Sequence, residues 1–169
     1  MDGELKYVLY VRKSSEAEDR QAASITSQID ELTAYAKRNG ITFVKTFTEA
    51  QSAKKPGRPA FTEMLSMIEN GEANCIVCWK LDRLARNAID GGSITWFLQE
   101  KIIKEIRTFE RTYRPEDNVM IMQVEFGMAN QYIRDLSTNT KRGLRKRLAD
   151  GWFPGVAPLG YLNNKYQQD

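Results

Sequence analysis

The sequence predicts an α/β domain with a mostly parallel sheet covered on both faces, and three observations point to it. Four apolar, β-prone runs recur along the chain at 5–11, 42–48, 73–79 and 104–109. Segments with helical spacing separate them, and glycine stands just after two of those segments, at Gly40 and Gly71. Strands that alternate with helices pair in parallel, because each crossover helix returns the chain to the same end of the sheet.

Each element has its own warrant. The run 5–11 (LKYVLYV) is nearly continuous in apolar residues, as a strand buried on both faces requires. Over 27–39, Ile29, Leu32, Tyr35 and Ala36 fall on one face of a helix that Gly40 can cap. After the strand at 42–48, Phe61, Met64, Leu65 and Ile68 repeat that spacing over 61–70, closed by Gly71. The third strand, 73–79, is followed by a helical pattern over 87–101 carrying Ile94, Phe97 and Leu98, and then by the fourth strand. In sheets of this kind, sites form at the carboxyl ends of the strands. Residues 12–14 follow the first strand and 80–86 follow the third, so both segments should open onto one edge.

From Asn118 the pattern changes. Asp117 or Asn118 can cap a helix, and no proline follows until Pro154. A single helix over 118–150 would be roughly 50 Å long at 1.5 Å per residue, so it should project beyond a domain whose radius of gyration is about 13 Å. Gly127 and Gly143 are places where it could kink or pack closely. Its first part, VMIMQVEFGMANQYI, is apolar on more than one face, which suggests either an oligomer interface over 119–136 or a long core helix with a solvated basic end. Residues 134–150 carry six basic and two acidic side chains, a charge of +4, against a whole-chain net charge of +3. A basic excess gathered in one short segment suits a polyanion such as nucleic acid. Lys141, Arg142, Arg145, Lys146 and Arg147 are its candidate DNA contacts. After Gly151 the closely spaced glycines and prolines read as a linker, so the chain divides into a domain at 1–117, the helix at 118–150 and a linker at 151–169.

Composition narrows the chemistry. Of 169 residues, 41% are hydrophobic, enough for a real core. Histidine is absent, which excludes Ser-His-Asp hydrolysis and every zinc site that needs histidine. No apolar run is long enough to span a membrane, and the N-terminus lacks the pattern of a signal peptide. With two cysteines only, a reducing, cytoplasmic setting is the natural expectation. Cys75 and Cys78 form a CxxC, but on a strand residues three apart point to opposite faces, so both read as buried structural thiols.

The strand 5–11 runs into Arg12, Lys13, Ser14 and Ser15. The third strand runs into Lys80, Asp82, Arg83 and Arg86, and the loop KKPGRPAF brings Arg58. Arg83 and Arg86, three apart, would share a face of a helical turn. Guanidinium groups grip phosphodiester oxygens bidentately and can neutralise the charge that metal ions often neutralise in phosphoryl transfer. A serine among them could attack phosphorus. Asp82 is the only carboxylate in this constellation, better suited to orienting arginines than to taking a proton. A non-catalytic DNA-binding module could use the same arginines, whereas no glycine-rich nucleotide-binding loop follows any strand.

Y-x-R-x-S at 10–14, S-x-x-S-Q at 24–28, the Arg58-Pro59 loop and K-L-D-R-L-x-R at 80–86 resemble the serine recombinases of the resolvase/invertase superfamily. G-x-x-x-G-x-x-P-x-G-Y at 151–161 resembles the junction in large serine integrases and transposon recombinases, where a recombinase DNA-binding domain begins. The resemblance implies a three-layer resolvase-like catalytic domain acting on DNA recombination sites in a bacterial or phage setting. It implies that Ser14 attacks the scissile phosphate to give a 5′-phosphoserine, with Arg12, Arg58, Arg83 and Arg86 as active-site arginines and Asp82 and Gln28 in support. It also implies no metal, no other cofactor, and dimers that synapse into a tetramer. The chain departs from the family pattern at two places. Tyr132 and Ile133 stand where small resolvases carry an acidic residue followed by arginine, with Arg134 beside them. TEAQSA stands in place of D-x-x-x-S-G, aligning Ser52.

Overall fold

The computed structural model describes residues 4–12, 25–50, 56–155 and 159–160. The strands are β1 (Tyr7–Arg12), β2 (Phe43–Glu49), β3 (Cys75–Cys78), β4 (Glu105–Arg107) and β5 (Thr112–Tyr113). The helices are α1 (Ile25–Arg38), α2 (Pro59–Glu69), α3 (Leu81–Leu84), α4 (Ala88–Gln99) and α5 (Val119–Ala149). One five-stranded sheet has the order β2-β1-β3-β4-β5. The first four strands are parallel, and β5 runs antiparallel to β4. This is the predicted α/β, mostly parallel architecture.

Beta1 lies inside the sheet, between β2 and β3, where its apolar sequence suits burial on both faces, and all six of its residues are buried. Alternation sends Val8 and Tyr10 to one face and Tyr7, Leu9 and Val11 to the other. The first face packs against α2, α4 and the start of α5 through Phe61, Met64, Ile68, Ile94, Leu98, Met122 and Phe126. The second packs against α1 through Leu32 and Ala36. The result is three layers, helices on both faces of the sheet. Each of these aliphatic and aromatic side chains is worth about 1.5–3 kcal/mol on full burial. Cys75 and Cys78 fall into the cores on opposite faces, and both are free thiols.

Two helices end where glycine was expected to end them. Gly40 and Gly71 both take left-handed backbone angles, and the residues after them bond back to Ala36 and Met67. The observed strands are shorter than the apolar runs. Trp79 and Phe109 continue the runs past β3 and β4, but they pack on each other, ring centroids 4.6 Å apart, beyond the ends of the strands. Beta5 has no counterpart among the apolar runs, since two residues show no periodicity.

Contacts divide the chain into two units, Met1–Asn130 and Gln131–Asp169. Helix α5 runs continuously through Gly127 and Gly143, neither of which has a neighbour that a side chain would meet. Its first turns belong to the first unit, where Met122 and Phe126 are buried. A Cβ on Gly91 of α4 would lie 3.2 Å from the ring of Phe126, so the close approach of α4 and α5 depends on that glycine. Among the described residues no helix is long and apolar enough to cross a membrane.

Candidate active site

The carboxyl ends of β1 and β3 bring the arginines together. Arg12 is the last residue of β1 and wholly buried, and its Nε donates to the carbonyl of Arg83 at 3.2 Å. The short helix α3 follows β3 at once. Leu81 and Leu84 anchor it in the core, and Arg83 rides between them, buried. The helix ends there, because Ala85 is extended (φ −147°, ψ 146°). Arg83 and Arg86 therefore do not share a helical face, as their spacing suggested. Arg86 instead folds back onto Asp82, with Nε 3.0 Å from its carbonyl and Nη2 2.7 Å from its carboxylate. Asp82 Oδ2 also lies 4.0 Å from Arg83 Nη1.

Arg58 reaches the same edge from α2. Pro59 occupies the first helical position, where its missing N–H costs nothing, and it holds Arg58 extended at the N-cap. The Arg58 side chain is 0% exposed. Its Nη1 donates to the Tyr10 hydroxyl at 2.7 Å, and its Nη2 donates to the Leu84 carbonyl at 2.7 Å and to Asp90 Oδ2 at 2.8 Å. The guanidinium carbon stands 4.1 Å from the Phe61 ring centroid, a cation–π contact in a desolvated place.

Asp82 is thus not alone. Asp90, in the first turn of α4, and Glu49, at the end of β2 beside Arg12, are both buried at this edge. Glu49 accepts a bond from the amide of Ala60 at 3.2 Å. No motif marked these two, because each meets the arginines only through the fold. Burial, and after it the charges of Arg86 and Arg83, pushes the pKa of Arg12 down to about 10. Arg12 stays cationic at neutral pH, and an arriving anion would relieve the repulsion among the three.

Gln28 lies in the first turn of α1 and is buried. Ser14, Ser15 and Ser52 lie outside the described residues. Lys141, Arg142, Arg145, Lys146 and Arg147 lie on α5 within the second unit, all exposed. Lys141 with Arg145, and Arg142 with Lys146, are four apart, so each pair shares a face. Tyr132 and Arg134 are exposed on the same helix.

Solved structures share this architecture. The N-terminal catalytic domain of the TP901-1 integrase is 25% identical, with a TM-score of 0.56 over 78% of this chain and 98% of its own. A resolvase family site-specific recombinase from Streptococcus pneumoniae is 22% identical, with a TM-score of 0.55 over 86% of this chain and 99% of its own. The C-terminal catalytic domain of ISC1926 TnpA, an IS607-like serine recombinase, shares the fold at 18% identity and a TM-score of 0.54, over 86% and 99% of the two chains. The fold is that of a serine recombinase catalytic domain. The chain matches the family described as Resolvase, N terminal domain, over residues 7–152, and it belongs to that family of site-specific recombinases.

Proposed function

We propose that this domain cleaves and rejoins DNA through Ser14, with arginines in place of metal ions. The observation that carries this is the convergence of Arg12, Arg83, Arg86 and Arg58 at the carboxyl ends of β1 and β3. Arg12, the last residue of β1, precedes Ser14 by two positions. The Ser14 hydroxyl attacks the scissile phosphorus, the bond from phosphorus to the 3′ oxygen breaks, and that oxygen leaves as a 3′-hydroxyl. One phosphoester is exchanged for another, a 5′-phosphoserine, so the bond energy is kept and religation by a 3′-hydroxyl needs no ATP. The guanidinium groups neutralise charge on the non-bridging oxygens as it builds. Asp82, bonded to Arg86, serves to orient, and Gln28 supports from α1.

The remaining assignments follow the same reading. Residues 1–117 form the catalytic domain, 118–150 the helix for self-association and DNA contact, and 151–169 the linker into a DNA-binding domain. Lys141, Arg142, Arg145, Lys146 and Arg147 meet the DNA backbone. The exposed apolar face of α5 pairs with other copies, as a dimer and then as a synaptic tetramer.

The test is a supercoiled plasmid carrying the DNA that flanks the gene, incubated with the protein in EDTA and run on a denaturing gel. Protein joined to 5′ ends by the wild type but not by Ser14→Ala is the expected result. An adduct that persists in Ser14→Ala would move the nucleophile to Ser15. Binding without any adduct would make this a non-catalytic DNA-binding module.

A further inference from the structure

We infer that Asp90 is a positioning residue for DNA cleavage, holding the guanidinium of Arg58 in place together with the Tyr10 hydroxyl. The inference rests on the reading of Arg58 as a phosphate-neutralising group. Arg58 and Asp90 are 32 positions apart, at the N-cap of α2 and in the first turn of α4, and no local pattern pairs them.

Three acceptors from three parts of the chain hold the guanidinium: Tyr10 Oη from β1, Leu84 O from α3 and Asp90 Oδ2 from α4. The Phe61 ring lies against it. A planar ion held by three acceptors has its plane set, and only Asp90 among the three supplies a counter-charge. Among the described residues the Nε of Arg58 has no acceptor. That donor, and the second hydrogen on Nη1, are what remain for a substrate oxygen. A guanidinium stripped of its counter-charge in a side-chain environment this buried would swing toward water, and those donors would go with it.

A merely structural role for Asp90 has a definite form. Its amide donates to Asn87 Oδ1 at 2.9 Å, and its Oδ2 accepts from Asn87 Nδ2 at 2.7 Å, which caps α4. Asn87→Ala removes that cap, and with it one hydrogen bond to Asp90 Oδ2, but keeps the counter-charge, so it separates loss of the cap from loss of the charge.

The experiment measures the rate of covalent adduct formation at saturating DNA, using the same supercoiled plasmid. Thermal melting and DNA affinity are measured on every variant. Asp90→Asn and Arg58→Ala should each slow the adduct about 100-fold, the scale of a misplaced reacting group. Both should still bind DNA. The double variant should be no slower than Arg58→Ala alone, because Asp90 acts through Arg58. Asn87→Ala should lower the melting temperature and slow the adduct far less than Asp90→Asn does. An adduct rate near wild type in Asp90→Asn, with Arg58→Ala slow, overturns the inference and leaves the wider reading intact. Losses that add in the double variant also overturn it, since Asp90 would then act elsewhere. A normal rate in Arg58→Ala removes the role of Arg58 and the inference with it. Should Asp90→Asn fail to fold, Tyr10→Phe carries the test, because it deletes one acceptor of Arg58 and keeps the ring. It should slow the adduct about tenfold, about 1.4 kcal/mol of barrier, and an unchanged rate counts against the inference.

Discussion

The hydroxyl of Tyr113 on β5 donates a 2.7 Å hydrogen bond to Glu125 in the second turn of α5. The last strand of the sheet thereby clips the start of the long helix to the first unit. Burial, and then the bond to Glu125, raises the pKa of Tyr113, so the hydroxyl stays protonated and donating across the working range. Phe126, one residue further on, is buried against Gly91. Urea denaturation should show Tyr113→Phe less stable by about 1 kcal/mol. Phe126→Ala should be worse by about 3–5 kcal/mol, because it leaves a cavity beside α4. Equal effects would mean that packing does not dominate this attachment.

Glu105 on β4 gives the fold an acid limit. Burial by itself would raise its pKa, but hydrogen bonds from Tyr7 and Arg107, with Arg114 adding a third, hold it below the ordinary glutamate value. A carboxylate depressed in the folded state contributes stability above its unfolded pKa of about 4.3, and that contribution is lost as pH falls through the folded value. Melting temperature should therefore fall below about pH 4.3 in the wild type, and Glu105→Gln should flatten that part of the curve. An unchanged acid slope in Glu105→Gln would assign it to other carboxylates.

Both cysteines should be inert in the folded protein. Burial above all pushes the Cys75 thiol up to about 12 and raises Cys78 further, and thiolate is the reactive form. Iodoacetamide at neutral pH should label neither thiol until denaturant is added, as mass spectrometry would show. Labelling of the native protein would mean that the sheet opens locally.

Met120, Val124 and Met128 stand four apart on α5 with relative exposures of 67%, 52% and 67%. An apolar stripe of this kind on a helix is suited to cover by another copy. Sedimentation should show a concentration-dependent dimer, weakened at least about tenfold, or about 1.4 kcal/mol, by Val124→Glu. A species monomeric at all concentrations would refute the interface.

Arg86 spans two oxygens of Asp82, the carbonyl and the carboxylate. Lysine carries one compact ammonium and cannot bridge both while also meeting a phosphate. Arg86→Lys should slow adduct formation about 100-fold with little change in melting temperature. Turnover near wild type would show that charge alone suffices there.

The sequence displayed much of this molecule directly. The alternation of strands and helices, the glycine ends of α1 and α2, and the opposite-facing cysteines follow from periodicity and backbone freedom, which are local properties. Arg12, Arg58 and the segment 80–86 were equally legible as candidates, because each lies within a few residues of a strand end or helix start. The single turn of α3 was not. Its end at the extended Ala85 leaves no local mark in the sequence, and spacing alone placed Arg83 and Arg86 on one helical face.

By itself, then, the sequence determined the fold class and the family, and it singled out Arg12, Arg58, Arg83 and Arg86 as candidates. Only the tertiary structure decided how those arginines are held: Arg58 by Asp90 and Tyr10, Arg12 by the carbonyl of Arg83, with Glu49 beside the β1 edge. Periodicity and motif spacing report on neighbours along the chain. The partners of a buried cation are chosen by the need to find counter-charges and acceptors away from water, and those lie wherever folding brings them.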